Sequence, residues 1–360
     1  MKRIFALALF FVVAIASAQT FDLYKDGVKI GSFHAGPMGP MMPFVNPALI
    51  AKPTDSNSRG GWDGNAPMYF TGPQVRAANV DDPSQVAGPS DIGAFREPCF
   101  FSHFAQVDPI VSPGTVSLHL HAFFGNTGTN ARSTAASIAN SGNSTCAGGT
   151  LNRTSYWVPA MIDTRTGTPI VPSPAGSIFY YKTGYNGIVP GAIKQLPAGL
   201  RMVSGDAKGS TPSGPWNYGC IGQGNDFWAD KAVGIPICKT GQDMLMSVTF
   251  PQCWDGVNLD SPDHISHMSG TVDGACPASH PVPVPVVAFD IHYTIKATDD
   301  MTKWRLASDM YPTTLPGGFS GHADWWNGWD DATMKTITEN CEQKSLDCRA
   351  YLLGDGRTLY

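Results

Sequence analysis

From residue 91 onward the chain is a succession of short apolar runs, each bounded by Gly, Pro, Asn or Asp: 115–124, 156–162, 177–181, 200–203, 244–250 and 284–295. The runs are rich in Val, Ile, Phe and Tyr, whose branched or aromatic side chains suit a half-buried pleated surface. Over 288–295 the alternation has period two, with Phe289, Ile291, Tyr293 and Ile295 on one face and His292 on the other. Upstream, alternation from Phe21 to Phe33 on either side of Asp26-Gly27 predicts a hairpin. Residues 36–65, rich in Gly, Pro, Met and Asn without periodicity, read as an extended arm. One helix is expected, over 330–340, closed by Cys341. The pattern predicts a mainly antiparallel β domain, a sandwich or jelly-roll-like fold with few short helices.

Composition sharpens this picture. With 39 Gly and 29 Pro in 360 residues, long helices are excluded, and 42% hydrophobic residues suffice for a packed core. Lys2 and Arg3, the apolar run 4–15 and Ala16-Ser17-Ala18 form a secretory leader, cut before Gln19. That run is shorter than the roughly 20 residues that span a bilayer, and no second one follows, so the expectation is a secreted, extracellular protein without a membrane span. Removing Lys2 and Arg3 moves the formal charge from −5 to −7, which argues against nucleic acid as a partner. All eight cysteines follow the leader and predict disulfides that staple the long loops. Pairing of sequence neighbours, Cys99–Cys146, Cys220–Cys238, Cys253–Cys276 and Cys341–Cys348, is one of about 105 connectivities. The organisation expected is a leader (1–18), a hairpin and arm (19–90), one β-rich domain (91–345) and a C-terminal tail (346–360).

Candidate chemistry is concentrated in three places. Residues 253–268 hold Asp255, Asp260, Asp263, His264, His267 and Trp254, in a chain where only 15% of residues are charged. The other two are His119-Leu120-His121 and His322-Ala323-Asp324. On a strand, His119 and His121 point to the same side, an arrangement suited to a divalent metal or to acid–base work. His264 and His267 are three apart, so one helical turn would bring them together as further ligands or bases, and Asp263 would orient an imidazole. Asp255 and Asp260 equally suit turn caps. Trp325, Trp326 and Trp329 read either as an aromatic platform for a sugar ring or as a core corner. Arg201 would neutralise an acidic sugar or pair with Asp206. Tyr156, Arg201, Trp254, Trp326 and Asn327 complete the expected substrate-binding set. The chain has no Gly-x-Ser-x-Gly elbow, no His-Glu-x-x-His zinc helix and no phosphate-binding Gly-x-x-x-x-Gly-Lys loop.

Seven segments in order carry a resemblance: those beginning Phe95-Arg96-Glu97-Pro98-Cys99, Val107-Asp108-Pro109-Ile110, His119-Leu120-His121-Ala122, Ser155-Tyr156-Trp157-Val158 and Leu200-Arg201-Met202-Val203, then 253–268 and His322-Ala323-Asp324-Trp325-Trp326-Asn327-Gly328-Trp329. Over about residues 91–345 the chain resembles the domain-of-unknown-function nineteen ninety-six family of secreted fungal and bacterial proteins, some of which carry a carbohydrate-binding WSC module. The resemblance implies a secreted domain acting near cell walls and supplies no reaction. Three functions follow from the residues. One is a polysaccharide hydrolase or lyase using His/Asp acid–base chemistry, with His119, His121, Asp255, Asp263, His264, His267, His322 and Asp324 as its catalytic candidates. Another is a metal-dependent hydrolase with His119, His121 and one of His264, His267 or His322 as ligands. The third is a non-catalytic protein that binds an extracellular glycan.

Overall fold

The computed structural model describes residues 19–25, 28–35, 69–79, 86–87 and 92–360. The leader and the arm at 36–65 lie outside these residues. Gln19–Lys25 and Val28–Ala35 pair antiparallel, with Phe21 opposite Phe33 and Lys25 opposite Val28, the hairpin that alternation about Asp26-Gly27 predicts.

Two sheets form a sandwich. Their main strands are β1 Ala94–Cys99, β2 Phe101–Ala105, β3 His121–Gly125, β4 Ser155–Pro159 and β5 Ser177–Lys182. These are followed by β6 Arg201–Gly205, β7 Trp216–Ile221, β8 Asp243–Thr249, β9 Val286–Thr294, β10 His322–Trp326 and β11 Leu346–Ala350. The eight-stranded sheet runs Phe227–Trp228, β7, β8, β9, β5, β1, β11, Val86–Ala87, and the five-stranded sheet runs β6, β10, β4, β3, β2. Within these two sheets every pairing is antiparallel except β1 with β11.

The core lies between the sheets. Phe289, Ile291 and Tyr293 of β9 are buried there, as their alternation predicts, against Phe124, Tyr156, Val158 and Trp325 of the five-stranded sheet. Tyr156 bridges the layers, its ring centroid 4.1 Å from that of Phe179. Each such aromatic removes roughly 150–250 Å² from water, on the order of 4–6 kcal/mol gross before chain entropy is counted. The run expected over 115–124 is a strand only from His121. Residues before it cross the outside of the five-stranded sheet as a loop, closed by Ser117 N donating to the Gln106 carbonyl at 3.0 Å.

All four disulfides join sequence neighbours, as the pairing by order anticipates. Cys253–Cys276 closes the loop that carries His264 and His267. The segment 346–360, expected to trail the domain as a tail, instead joins it: β11 extends the large sheet, and Arg357–Leu359 pairs with Val75–Ala77. Of the two short helices, α1 (Ala135–Asn140) and α2 (Asp331–Ile337), only α2 was legible. Asp330 caps α2 by accepting from Thr333 N, and a π-helical turn extends it over Thr338–Glu342. Helix α1 is capped by the reciprocal pair Thr134 and Ser137, a Ser standing where Glu or Gln is the usual signal.

Glu342, in that π-helical turn, is fully buried and neither carboxyl oxygen has a hydrogen-bond partner among the described residues. Burial pushes its pKa from 4.5 up to about 8. The folded chain therefore holds a proton that the unfolded chain has released. The stability this gives is complete below pH about 4.5 and is lost as pH rises through about 8, by on the order of 5 kcal/mol at most. Glu342→Gln, which mimics the protonated carboxyl, is expected to match the native protein near pH 5 and to melt higher near pH 8.5. Melting curves that stay parallel across this range would refute a protonated Glu342.

Candidate metal centre

Alternation sorts the five-stranded sheet into two environments. Ala122, Phe124, Tyr156, Val158, Met202, Ala323 and Trp325 enter the core shared with the large sheet. Their neighbours point the other way, and the register brings them into line: His322 opposite Gly205, Asp324 opposite both Val203 and Trp157, Trp326 opposite Arg201, Phe123 opposite Trp157. This outer face is also covered, by Ile110 of the 106–120 loop and Ile138 of α1, which pack on Phe123, Trp157 and Trp326.

Three imidazoles converge here. Alternation continues one residue before β3, because the Leu120 carbonyl accepts from Ala160 N at 2.9 Å; Leu120 points inward and His119 outward. The ring centroids of His119 and His121 are 4.3 Å apart, and those of His119 and His322 are 4.9 Å apart. Backbone carbonyls fix two tautomers: His121 Nδ1 donates to Val107 O and His322 Nδ1 donates to Ser320 O, each at 2.8 Å. Each ring thus presents the lone pair of Nε2 to the centre, the orientation imposed on metal-bound histidines by their outer hydrogen bonds. Ser320 is held in turn by Asp309, which accepts from its hydroxyl at 2.7 Å. His119 Nε2–H donates to His322 Nε2 at 3.0 Å, a hydrogen bond that a bound ion would replace. Two nitrogens bound at about 2.0–2.1 Å to one tetrahedral ion sit roughly 3.4 Å apart, so only a few tenths of an ångström separate this geometry from a ligand pair.

Two carboxylates adjoin the imidazoles. One ligand atom each of His119, His121 and His322 lie within 4.8 Å of one another, and so do those of Asp108, His121 and Asp324. Asp108 Oδ1 accepts from Ile110 N at 3.0 Å and Val111 N at 2.9 Å, which aims the residue over the sheet. Thirteen buried side-chain nitrogen and oxygen atoms lack a partner among the described residues. Seven belong to this one face: His103 Nε2, His121 Nε2, Trp157 Nε1, Arg201 Nε, both Asp324 oxygens and Trp326 Nε1. Buried polar groups are seldom left unpaired, and a cluster of them points to an ion or ligand.

The electrostatics agree. Burial lowers His121 to about 3 and His322 to about 4, and with the adjacent rings it carries His119 well below its usual value. All three are neutral at physiological pH, the form that binds metals. Burial, then the charge of Asp108, raises Asp324 well above the carboxylate range. Burial also raises Asp108, against the N–H groups of Val111 and Ile110. A divalent cation would reverse the penalty on both. Three imidazole nitrogens with carboxylate oxygens suit Zn²⁺ and its first-row neighbours.

A family model described as Domain of unknown function (DUF1996) matches residues 108–329. The chain belongs to that family. No curated protein and no solved structure matches it. The DUF1996 match begins at Asp108 and ends at Trp329, inside the span expected from the motifs, and so leaves out the Phe95-Arg96-Glu97-Pro98-Cys99 segment.

Within the DUF1996 region the expected site residues divide. His119, His121, His322 and Asp324 meet. His264 stands beside them: its Nδ1 lies 2.9 Å from Asp260 Oδ1, and it is near enough for its charge to act on Asp108. Its φ of 60° is unusual for a residue other than glycine. His267 is used structurally, with Nδ1 2.9 Å from Ser261 Oγ and Nε2 donating to the Arg201 carbonyl at 2.7 Å. Asp255 caps Val257 N and Asn258 N, and Asp263 caps Ile265 N and Ser266 N. Tyr156 belongs to the opposite face of β4, where its hydroxyl lies 2.8 Å from that of Tyr181. Trp325 and Trp326 are buried rather than an open platform, because β10 is an interior strand with both faces covered, and Trp329 beyond it packs into the main core. Trp254 donates to the Asn258 carbonyl, and Asn327 Nδ2 donates to the Leu196 and Pro197 carbonyls. Arg201 pairs with Asp260, Nη1 to Oδ2 at 2.8 Å, not with Asp206. Asp108 was missed: an Asp before Pro reads as a turn former, and only the fold shows that the turn overlies the histidines.

Asp324 carries the next prediction. In chelator-treated protein, Asp324→Asn is expected to hold or raise the melting temperature, since it removes an unpaired buried carboxyl. With Zn²⁺ present, the native protein should gain more stability than the variant. Equal losses in the variant with and without metal would mark Asp324 as purely structural.

Proposed function

We propose that the protein is a secreted, metal-dependent hydrolase in which His119, His121 and His322 hold a divalent ion and Asp324 and Asp108 flank it. The observation that carries the reading is the convergence of one ligand atom each from His119, His121 and His322 within 4.8 Å, beside the unpaired acceptors His121 Nε2 and both Asp324 oxygens. His119, His121 and His322 would hold the ion, which would supply Lewis-acid activation of water near neutral pH. The side chains of the protein would fix that ion, exclude bulk water and take up the proton released. Secretion is supported by the leader sequence and the four disulfides. No helix among the described residues is long and apolar enough to cross a membrane. A cell-wall polysaccharide is the substrate class in keeping with relatives that carry WSC modules.

A second reading has one observation in its favour. Asp108 and Asp324 present oxygens within 4.8 Å of each other, and burial raises Asp324 well above the carboxylate range, the asymmetry that a metal-free acid–base pair acting on a glycosidic bond needs. Metal separates the two readings. Purified protein is expected to contain one divalent ion per chain by elemental analysis, lost in His119→Ala, His121→Ala and His322→Ala. Release of reducing ends from cell-wall polysaccharide should fall at least about a hundredfold on chelation and return with Zn²⁺ or Mn²⁺. Undiminished turnover in protein stripped of its ion would leave the two-carboxylate mechanism.

A further inference from the structure

Arg201 is held beside the His/Asp cluster with more donors than acceptors. Its guanidinium carbon lies 4.1 Å from the centroid of the Trp326 ring, and its one protein acceptor is Asp260. The other Asp260 oxygen is engaged by His264. The backbone is pinned as well, with Arg201 N donating to Leu259 O at 2.9 Å and Arg201 O accepting from His267. Stack, ion pair and backbone thus fix the plane of the guanidinium. Yet among the described residues Nε has no hydrogen-bond partner, nor has Nε1 of Trp326 or Nε1 of Trp157 on the adjoining strand, and all three are buried. Nη2 has no acceptor among the described residues either.

Arg305 offers a contrast only at its terminal nitrogens. Its Nε is likewise without a hydrogen bond among the described residues, 3.9 Å from Asp309 Oδ2, but both terminal nitrogens find carbonyls, Leu315 O at 3.0 Å and Tyr311 O at 3.3 Å. Arg201 has no such carbonyl, and its side chain remains 29% exposed, so solution reaches it. The register places it near the centre: Arg201 is opposite Trp326, two residues from Asp324 on the same face. Diagonal neighbours of this kind are roughly 7–8 Å apart.

We propose that Arg201, with the indole N–H of Trp326, forms a subsite for an oxyanion, the carboxylate or sulfate of an acidic sugar unit, beside the His119–His121–His322 centre. A guanidinium fork matches a two-oxygen anion, and an indole nitrogen can only donate, so a ligand rich in acceptors satisfies both. The place of this subsite in a reaction rests on the metal-hydrolase reading; its donors do not. A bound ion would offset the repulsion between the incoming anion and the two aspartates.

The test is calorimetric titration of the full-length secreted chain with D-glucuronate, D-glucose 6-sulfate and D-glucose, with zinc and after chelation, alongside elemental analysis of each sample. An acidic sugar is expected to bind and glucose not to, and the preferred acid names the anion. Arg201→Lys, which keeps the charge and loses the fork, should weaken binding at least about tenfold with ion content unchanged. If that variant does not fold, Trp326→Phe carries the test, because it keeps a ring under the guanidinium, removes the indole N–H and should weaken the acidic sugar. Indistinguishable behaviour of the three sugars, total absence of binding included, overturns the subsite, and so does unchanged affinity in every folded variant. Ion content judges the metal centre separately: protein that takes up no zinc but still binds the acid through Arg201 refutes only the metal reading.

Discussion

A β-strand sends successive side chains to opposite faces, and the five-stranded sheet buries both. Its inner face is filled by aromatic and aliphatic residues against the large sheet, which leaves the outer face free of the main burden of core packing. The loop 106–120 and helix α1 shield that face from water without filling it with apolar atoms alone. Within this shelter, residues two apart on a strand, His322 and Asp324 on β10, and His119 and His121 entering β3, align without any special backbone. Slippage of either strand by one residue would exchange Asp324 for Trp325 and His121 for Ala122, putting carboxylate and imidazole into the core. Core packing and site geometry are therefore set by one register.

This explains which parts of the site were legible in the sequence. His-x-His and His-x-Asp are period-two patterns, and a strand is all that is needed to align each. That β3 and β10 are separated by β4 alone, with Asp324 and Phe123 both opposite Trp157, is a matter of topology and not of local sequence. The loop 253–268 is ambiguous in sequence for a physical reason: Asp, Ser and His also satisfy backbone groups in irregular segments, and here Asp255, Asp263 and His267 do so. Tyr156 was misplaced for want of a phase. It neighbours Trp157, which does reach the outer face, but one residue along a strand reverses the direction of the side chain. The β class and the disulfide pairing were legible because both follow from short-range pattern, whereas the joining of 346–360 to the large sheet depends on a parallel pairing with β1 at long range.

Burying these groups carries a cost. An unpaired buried carboxyl costs several kcal/mol if ionised, and less if it keeps its proton. Asp324, Asp108, Glu342 and Glu97 are all driven upwards by burial, so the metal-free chain carries several carboxyls that favour the protonated state. The aromatic core and four cross-links, each typically contributing about 2–4 kcal/mol, offset that cost. An ion that binds the folded state alone would add stability in proportion to its concentration over Kd.

The Cys253–Cys276 loop ties this support to the chemistry. Its disulfide and its Asx-turns fix the backbone from which Asp260 reaches Arg201 and His264, and His267 anchors the loop to the Arg201 carbonyl. The loop aspartates and His267, structural when taken singly, hold Arg201 flat on Trp326 and set His264 near Asp108. His264 adopts a left-handed backbone conformation within this frame, a strain of about 1–3 kcal/mol that persists only where the surroundings over-determine it. Here they do: Asp260 holds the ring, and the Ser261 carbonyl holds the backbone nitrogen at 2.8 Å. The left-handed turn at His264 is thus held by the same residue, Asp260, that pairs with Arg201.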